Sequence, residues 1–138
     1  AVKDPRVDFM FEGIDTTPGR KFGDFGLSGG GAAGLEIDRA DYNLGTPPHA
    51  MIVASSKSHT DIYLMTPEDM LDPTPDMSGT QNDTIRADLV FFETAQGGAV
   101  FSTGSIALAG AMAWNNYDNE VSQLMRNVMT RFNKAESV

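Results

Sequence analysis

The side chains best suited to chemistry in this sequence gather around one glycine-rich stretch. Residues 23–34 read GDFGLSGGGAAG, half of them glycine, and Glu36 follows within the alternating segment LEID at residues 35–38. Glycine at that density costs chain entropy, so the backbone there needs positive φ or a close approach to something. A carboxylate just behind such a backbone can face a cleft, carry a shifted pKa and act as a general acid, a base or a positioner of water. Alternation with Leu35 and Ile37 turns Glu36 to the face opposite theirs. The plainer alternatives are a solvated strand residue, or a carboxylate accepting hydrogen bonds from loop N–H groups, and residue type alone favours those. His49, after Pro47-Pro48, is the second expected catalytic candidate, on the same wall; its plainer role is a hydrogen-bonded loop anchor. Glu93, closing the segment ADLVFFET, carries the same two readings as Glu36.

Other motifs are weaker. Residues 29–34 (GGGAAG) satisfy G-x-G-x-x-G, but a dinucleotide site needs a strand before it, a helix after it and an acid about 20 residues on. Here the flanking segments are a poor strand and a poor helix, and Ala-Ser-Ser stands where the acid belongs. Residues 26–30 (GLSGG) satisfy G-x-S-x-G, which makes Ser28 a possible nucleophile with His49 and His59 downstream. Three consecutive glycines after Ser28 are a bad start for the helix a nucleophile elbow requires. His49 and His59 lack H-E-x-x-H spacing, and neither stands in a cluster of metal-ligand types. Asn82-Asp83-Thr84 is a glycosylation sequon, which means nothing without secretion.

The elements that must position these residues are short. Residues 7–12 (VDFMFE) are a predicted strand, and 35–38 a half-buried one. Residues 50–54 (AMIVA) form a continuous apolar run, the mark of a central strand, with 61–65 as a possible partner. Residues 67–83 hold three prolines and read as a long surface excursion, with one helical turn near 68–71. Residues 87–94 are the strongest strand, and the link 95–98 (AQGG) returns the chain as a hairpin through 99–102. Residues 105–114 are either a small-residue helix or a buried turn. Residues 118–133 are the clearest helix: Val121, Leu124, Met125, Val128, Met129 and Phe132 share one helical face and read as core. Asp118 or Asn119 can cap it. The expected fold is α/β or α+β, a mixed sheet with a glycine-rich loop and a closing amphipathic helix, in a single domain over residues 1–138.

Composition bounds the rest. The chain has 138 residues, 41% apolar and 21% charged, with no cysteine, which excludes disulfides, zinc fingers and a cysteine nucleophile. Ten basic against 19 acidic residues leave a net charge of −9, which disfavours nucleic acid and anionic membrane surfaces as partners. No run reaches the roughly 18 apolar residues of a membrane span. The start at Ala1, followed by Lys3 and Asp4, shows no signal or transit peptide, and a cytoplasmic location is expected.

Four blocks in order carry a resemblance to a known family. Residues 23–41 (GDFGLSGGGAAGLEIDRAD), 44–56 (LGTPPHAMIVASS), 86–94 (RADLVFFET) and 97–132 (GGAVFSTGSIALAGAMAWNNYDNEVSQLMRNVMTRF) resemble the C-terminal part of the large (beta) subunit of the N,N-dimethylformamidase family. The resemblance implies a fragment of a larger bacterial subunit whose parent is an amide hydrolase. Its substrates would be small N-substituted formamides, cleaved as dimethylformamide is into dimethylamine and formate. It also implies an iron ion held by tyrosine and glutamate oxygens, acting as a Lewis acid and activating water. Tyr42, Tyr63 and Tyr117 sit in no motif that matches those ligands, so no metal is expected within this chain and the iron site belongs upstream. The implied partners are the upstream part of the large subunit and a small subunit, with homo-oligomerisation when the chain stands alone. The ending also resembles the last part of a class I glutamine-amidotransferase-like domain, without that domain's cysteine. A non-catalytic structural or assembly role within the same subunit is the alternative, and a small independent hydrolase built on Ser28 a third reading.

Overall fold

The computed structural model describes residues 3–26, 30–65 and 77–134. Three strands form one sheet in the order β1-β2-β3: β1 spans Met51–Ser56, β2 Ala87–Glu93 and β3 Ala99–Ser102. Every pairing is antiparallel, so the expected mixed sheet is not what the described residues build. β2, not the run at 50–54, is the central strand. Its first five residues are all buried, because both of its edges and both of its faces are covered. β1 lies at an edge and takes β2 as its partner, with a bulge between Ile52 and Ala54. Among the described residues the expected partner segment 61–65 contributes a single bridge, Leu64 to Ser78. Residues 35–38 likewise make isolated bridges, Gly34 to Glu36 and Ile37 to Ser105, instead of a strand. The hairpin between β2 and β3 is as expected, and Gly97 supplies its positive φ of 82°.

The segment predicted as the first strand is a 3-10 turn over Asp8–Phe11. The physical reason is its period. Alternation over residues 7–12 would bury every second side chain, whereas Val7, Met10, Phe11 and Ile14 are the ones buried, the i, i+3, i+4, i+7 spacing of a helical stripe. The turn packs on the closing helix, where the Asn127 Nδ2 amide donates to Met10 O at 3.0 Å and Glu12 O at 2.9 Å.

Helix α1 (Ala107–Met112) is short and rich in small residues, and α2 (Glu120–Phe132) closes the fold. Val121, Leu124 and Val128 of α2 meet Leu108, Ala111, Val53, Leu89 and Phe91 in the main core. Met129, expected in that core, is 55% exposed because it stands at the edge of the apolar stripe. The opposite sheet face carries a smaller cluster of Ala40, Ala50 and Val90, flanked by Ile52 and Phe92. No helix among the described residues is long and apolar enough to cross a membrane.

Asn119 fastens the start of α2. Its side-chain oxygen accepts from Ser122 N at 2.9 Å, and its amide donates to Trp114 O at 2.6 Å and Met112 O at 3.1 Å. Asn119→Ala removes an N-cap and two further bonds. The expected loss is about 1–2 kcal/mol, read as a lowered urea midpoint at unchanged slope.

Candidate functional site

The glycine-rich segment lies against the helices. An added Cβ at Gly23, where φ is +71°, would meet Ala32 Cβ at 2.9 Å and Val121 Cγ2 at 3.2 Å. The backbone closes on itself there, with Ala32 N donating to Gly23 O at 2.8 Å. The far end of the segment is clamped by Ser105, whose buried hydroxyl accepts from Gly34 N and donates to Gly34 O, both at 2.8 Å. Gly23 so allows close packing of main chain on α2, and Gly26, where an added Cβ would stand 3.4 Å from Ala111 Cβ, on α1. An open cleft of about 590 Å³ beside them is lined by Gly23, Gly31 and Ala32, by residues 15–22, and by parts of β1 and β2. The cleft's charges are mixed: Arg20, Lys21 and Lys57 face Asp15 and Asp24. Arg20 reaches Asp15 at 3.7 Å and Glu120 at 3.3 Å, and two hydroxyls of the lining are tied to carboxylates, Thr17 Oγ1 donating to Asp15 at 2.7 Å and Ser55 Oγ to Asp88 at 2.6 Å.

Glu36 is exposed and is not among the residues that line this cleft. His49 is also exposed; its Nε2 lies 3.0 Å from Glu93 O, and its ring meets Phe92 edge-on at 5.9 Å. A carbonyl can only accept, so that contact places the proton on Nε2 and uses the imidazole as an anchor for the loop before β1. Glu36 belongs near the start of β2, since Asp38 O accepts from Asp88 N at 2.9 Å, while His49 belongs at its end, on Glu93. Within this chain the two therefore do not share a wall. Glu93 is exposed, with its backbone carbonyl engaged by His49. Ser28 and the predicted helical turn at 68–71 lie outside the described residues. His59 stays local, 3.3 Å from Ser56 O and against the Tyr63 ring at 5.0 Å.

Among the described residues, a buried carboxylate that no sequence motif marks is heavily hydrogen-bonded. Asp88, 1% exposed in the middle of the sheet, accepts from Ala40 N at 2.9 Å, Ser55 Oγ at 2.6 Å and Arg86 Nε at 2.9 Å. Arg86 also donates from Nη2 to Ala40 O at 3.0 Å. One carboxylate so joins β1, β2 and the loop at residues 38–41. The available signal is Arg86-x-Asp88 at the entrance to an apolar strand: residues two apart share a face in extended chain, which puts an arginine within reach of the buried aspartate. Beside this knot, Gly104 takes φ +60° and leaves no room for a side chain, since a Cβ would strike Asp88 backbone atoms and stand 2.9 Å from Asp38 O.

The surface aspartates are held ionised by local donors. Asp4, bonded by the Arg6 guanidinium at 2.6 Å, has its pKa lowered to about 2. Asp41 is lowered chiefly by the Arg39 side chain and by Asn43 N, and Asp61 chiefly by the Ser78 and Thr80 side chains. Each folded value lies below the unfolded one of about 3.9, so the stability these groups add is whole above that pH and is lost as pH falls toward 2. Urea midpoints are expected to be level from pH 7 to 5 and to drop between pH 4 and 2; a midpoint rising on acidification would contradict these bonds.

Residues 1–119 match the family described as N,N-dimethylformamidase beta subunit-like, C-terminal. This chain belongs to that family. It is 48% identical over 134 residues to the N,N-dimethylformamidase beta subunit of Paracoccus aminophilus, and 46% identical over the same length to that of an Alcaligenes species. These alignments cover 97% of this chain, which spans 17% of the length of each of the two relatives. The dimethylformamidase-family match takes in the glycine-rich segment, the whole sheet and α1, and its boundary falls at the cap of α2. Among the described residues no three His, Asp or Glu side chains converge as metal ligands.

Proposed function

We propose that this chain is the C-terminal part of the large subunit of an amide hydrolase acting on small N-substituted formamides. The observation that carries this reading is 48% identity along 97% of the chain to an N,N-dimethylformamidase beta subunit. In this reading the iron site lies elsewhere in the large subunit, a small subunit completes the enzyme, and the location is cytoplasmic. The chain is then inactive by itself. Its exposed Leu35, Leu44, Ile62 and Leu64 make homo-oligomerisation the behaviour proposed for it when it stands alone. The likeness to the end of a class I glutamine-amidotransferase-like domain belongs to the same proposal, supported by a late strand, β3, followed by a closing helix.

A framework role for this part of the subunit is favoured by one specific observation. The most heavily bonded buried carboxylate, Asp88, is spent on holding a loop to a sheet, and His49 on holding another. Glu36 and His49 are surface groups that the remainder of the large subunit would have to cover before they could meet a substrate. Glu36→Gln in the complete enzyme separates the two roles. The framework reading expects kcat to stay within about twofold, whereas loss of a general acid or base lowers it on the order of 100-fold in a folded protein.

A further inference from the structure

Between α1 and α2 the chain makes a turn that L-amino acids ordinarily avoid. Asn115, Asn116 and Tyr117 hold φ of 49°, 54° and 67° in succession. Left-handed residues normally occur singly, and a bulky one such as tyrosine is an outlier there. The turn is fixed from both sides. Asn115 Nδ2 donates to Asp118 O at 2.9 Å, Asn119 Nδ2 to Trp114 O at 2.6 Å, and Ser122 Oγ to Met112 O at 2.6 Å.

What this geometry achieves is display. Trp114 is 46% exposed and Tyr117 61% exposed, although both are large apolar side chains that a core would accept. Phe25 backs Trp114 in a stack at 6.2 Å and 21°, which stiffens the base of the turn. Aromatic side chains held rigid before contact lose little entropy on association, and Trp and Tyr dominate the energetics of protein interfaces. Backbone strain maintained at a surface marks a place where the surrounding structure has a use for it.

The occupant follows from how much of each relative lies outside the match. More than four fifths of each relative lies outside the match, and a segment in the same polypeptide meets this surface at high effective concentration. A second copy is the poorer partner at this turn, since a two-fold contact there would bring two exposed Asp118 carboxylates together. We propose that the turn at residues 114–117 is a preformed docking knob, by which this unit seats in an apolar pocket of the remainder of the same large subunit, with a donor on the pocket's rim facing Asp118. The proposal rests on the reading of the chain as the end of that larger subunit.

The test uses the complete large subunit, purified with the subunits that accompany it. Benzoylphenylalanine placed at position 117 is photoactivated and its adducts are mapped by mass spectrometry. Adducts to peptides of the same polypeptide outside these 138 residues are expected. In the unaltered protein, hydroxyl radicals should oxidise Trp114 and Tyr117 at least about fivefold more slowly than the free acetylated amides, as at the dry centre of an interface. Adducts confined to these 138 residues, to a second copy or to a different subunit would overturn the proposal, as would oxidation at the rate of the free amides. The footprint needs no variant, so a misfolded crosslinker protein does not spare the idea. Neither readout depends on amide turnover, so failure of the proposed activity and failure of the docking are told apart.

Discussion

Asp88→Ala is expected to remove about 3–5 kcal/mol of folding stability, a large share of the roughly 5–15 kcal/mol typical of a domain. The cost arises from what is left behind. Ala40 N and Ser55 Oγ lose their acceptor, and Arg86, 21% exposed on its side chain, loses its carboxylate. Among the described residues no buried side-chain polar atom lacks a partner, so the variant would introduce orphans into a structure that has none there. Ser55→Ala is the matching control. It removes one bond from an exposed residue and should cost only about 0.5–1.5 kcal/mol. Urea denaturation of the 138-residue chain, followed by far-UV circular dichroism, gives both values from the shift in midpoint. Equal effects of the two substitutions would mean that Asp88 is not the centre of the knot.

Gly104→Ala should be nearly as damaging, at about 3–4 kcal/mol, by a different route. The native φ of +60° disfavours any side chain, and the new methyl group would also strike Asp88 backbone atoms and stand 2.9 Å from Asp38 O. Two main-chain bonds converge at this point, Asp38 N to Gly104 O at 2.8 Å and Asp88 N to Asp38 O at 2.9 Å, and one must lengthen to admit the methyl. Gly19→Ala isolates the conformational part. Its φ of +86° is equally left-handed, but nothing lies within 4 Å of the added carbon. That variant should lose only about 1–2 kcal/mol. If both alanines cost the same, crowding at Gly104 contributes nothing and the main chain around Asp88 has room for a methyl group.

The local signals that survived folding were those with redundant support. The closing helix carries a full apolar stripe and a capping asparagine, and it forms over Glu120–Phe132 with Asn119 as its cap. The hairpin after β2 has strong strand residues on one side and Gly97-Gly98 in the link. The failures were segments with two admissible periods. Residues 7–12 fit alternation, but the buried set continued to Ile14 and matched a helical stripe. The run at 50–54 reads as central because it is wholly apolar, yet it lies at an edge, where Ala50 and Val53 are buried, Met51, Ile52 and Ala54 are partly covered, and Ala40 packs with Ala50.

For the candidate site the division is sharper. Residue types and their order carried the kinship with the dimethylformamidase beta subunit, because four spaced blocks of side chains are a property of the sequence and need no coordinates. Charge, the lack of cysteine and the helix stripe were equally readable, since each depends on composition or on neighbours a few residues away. Where Glu36 points, what His49 anchors, and the meeting of Asp88 with Ala40 across 48 positions depended on chain closure. Contacts that distant are selected by the packing of whole elements, and no local propensity encodes them.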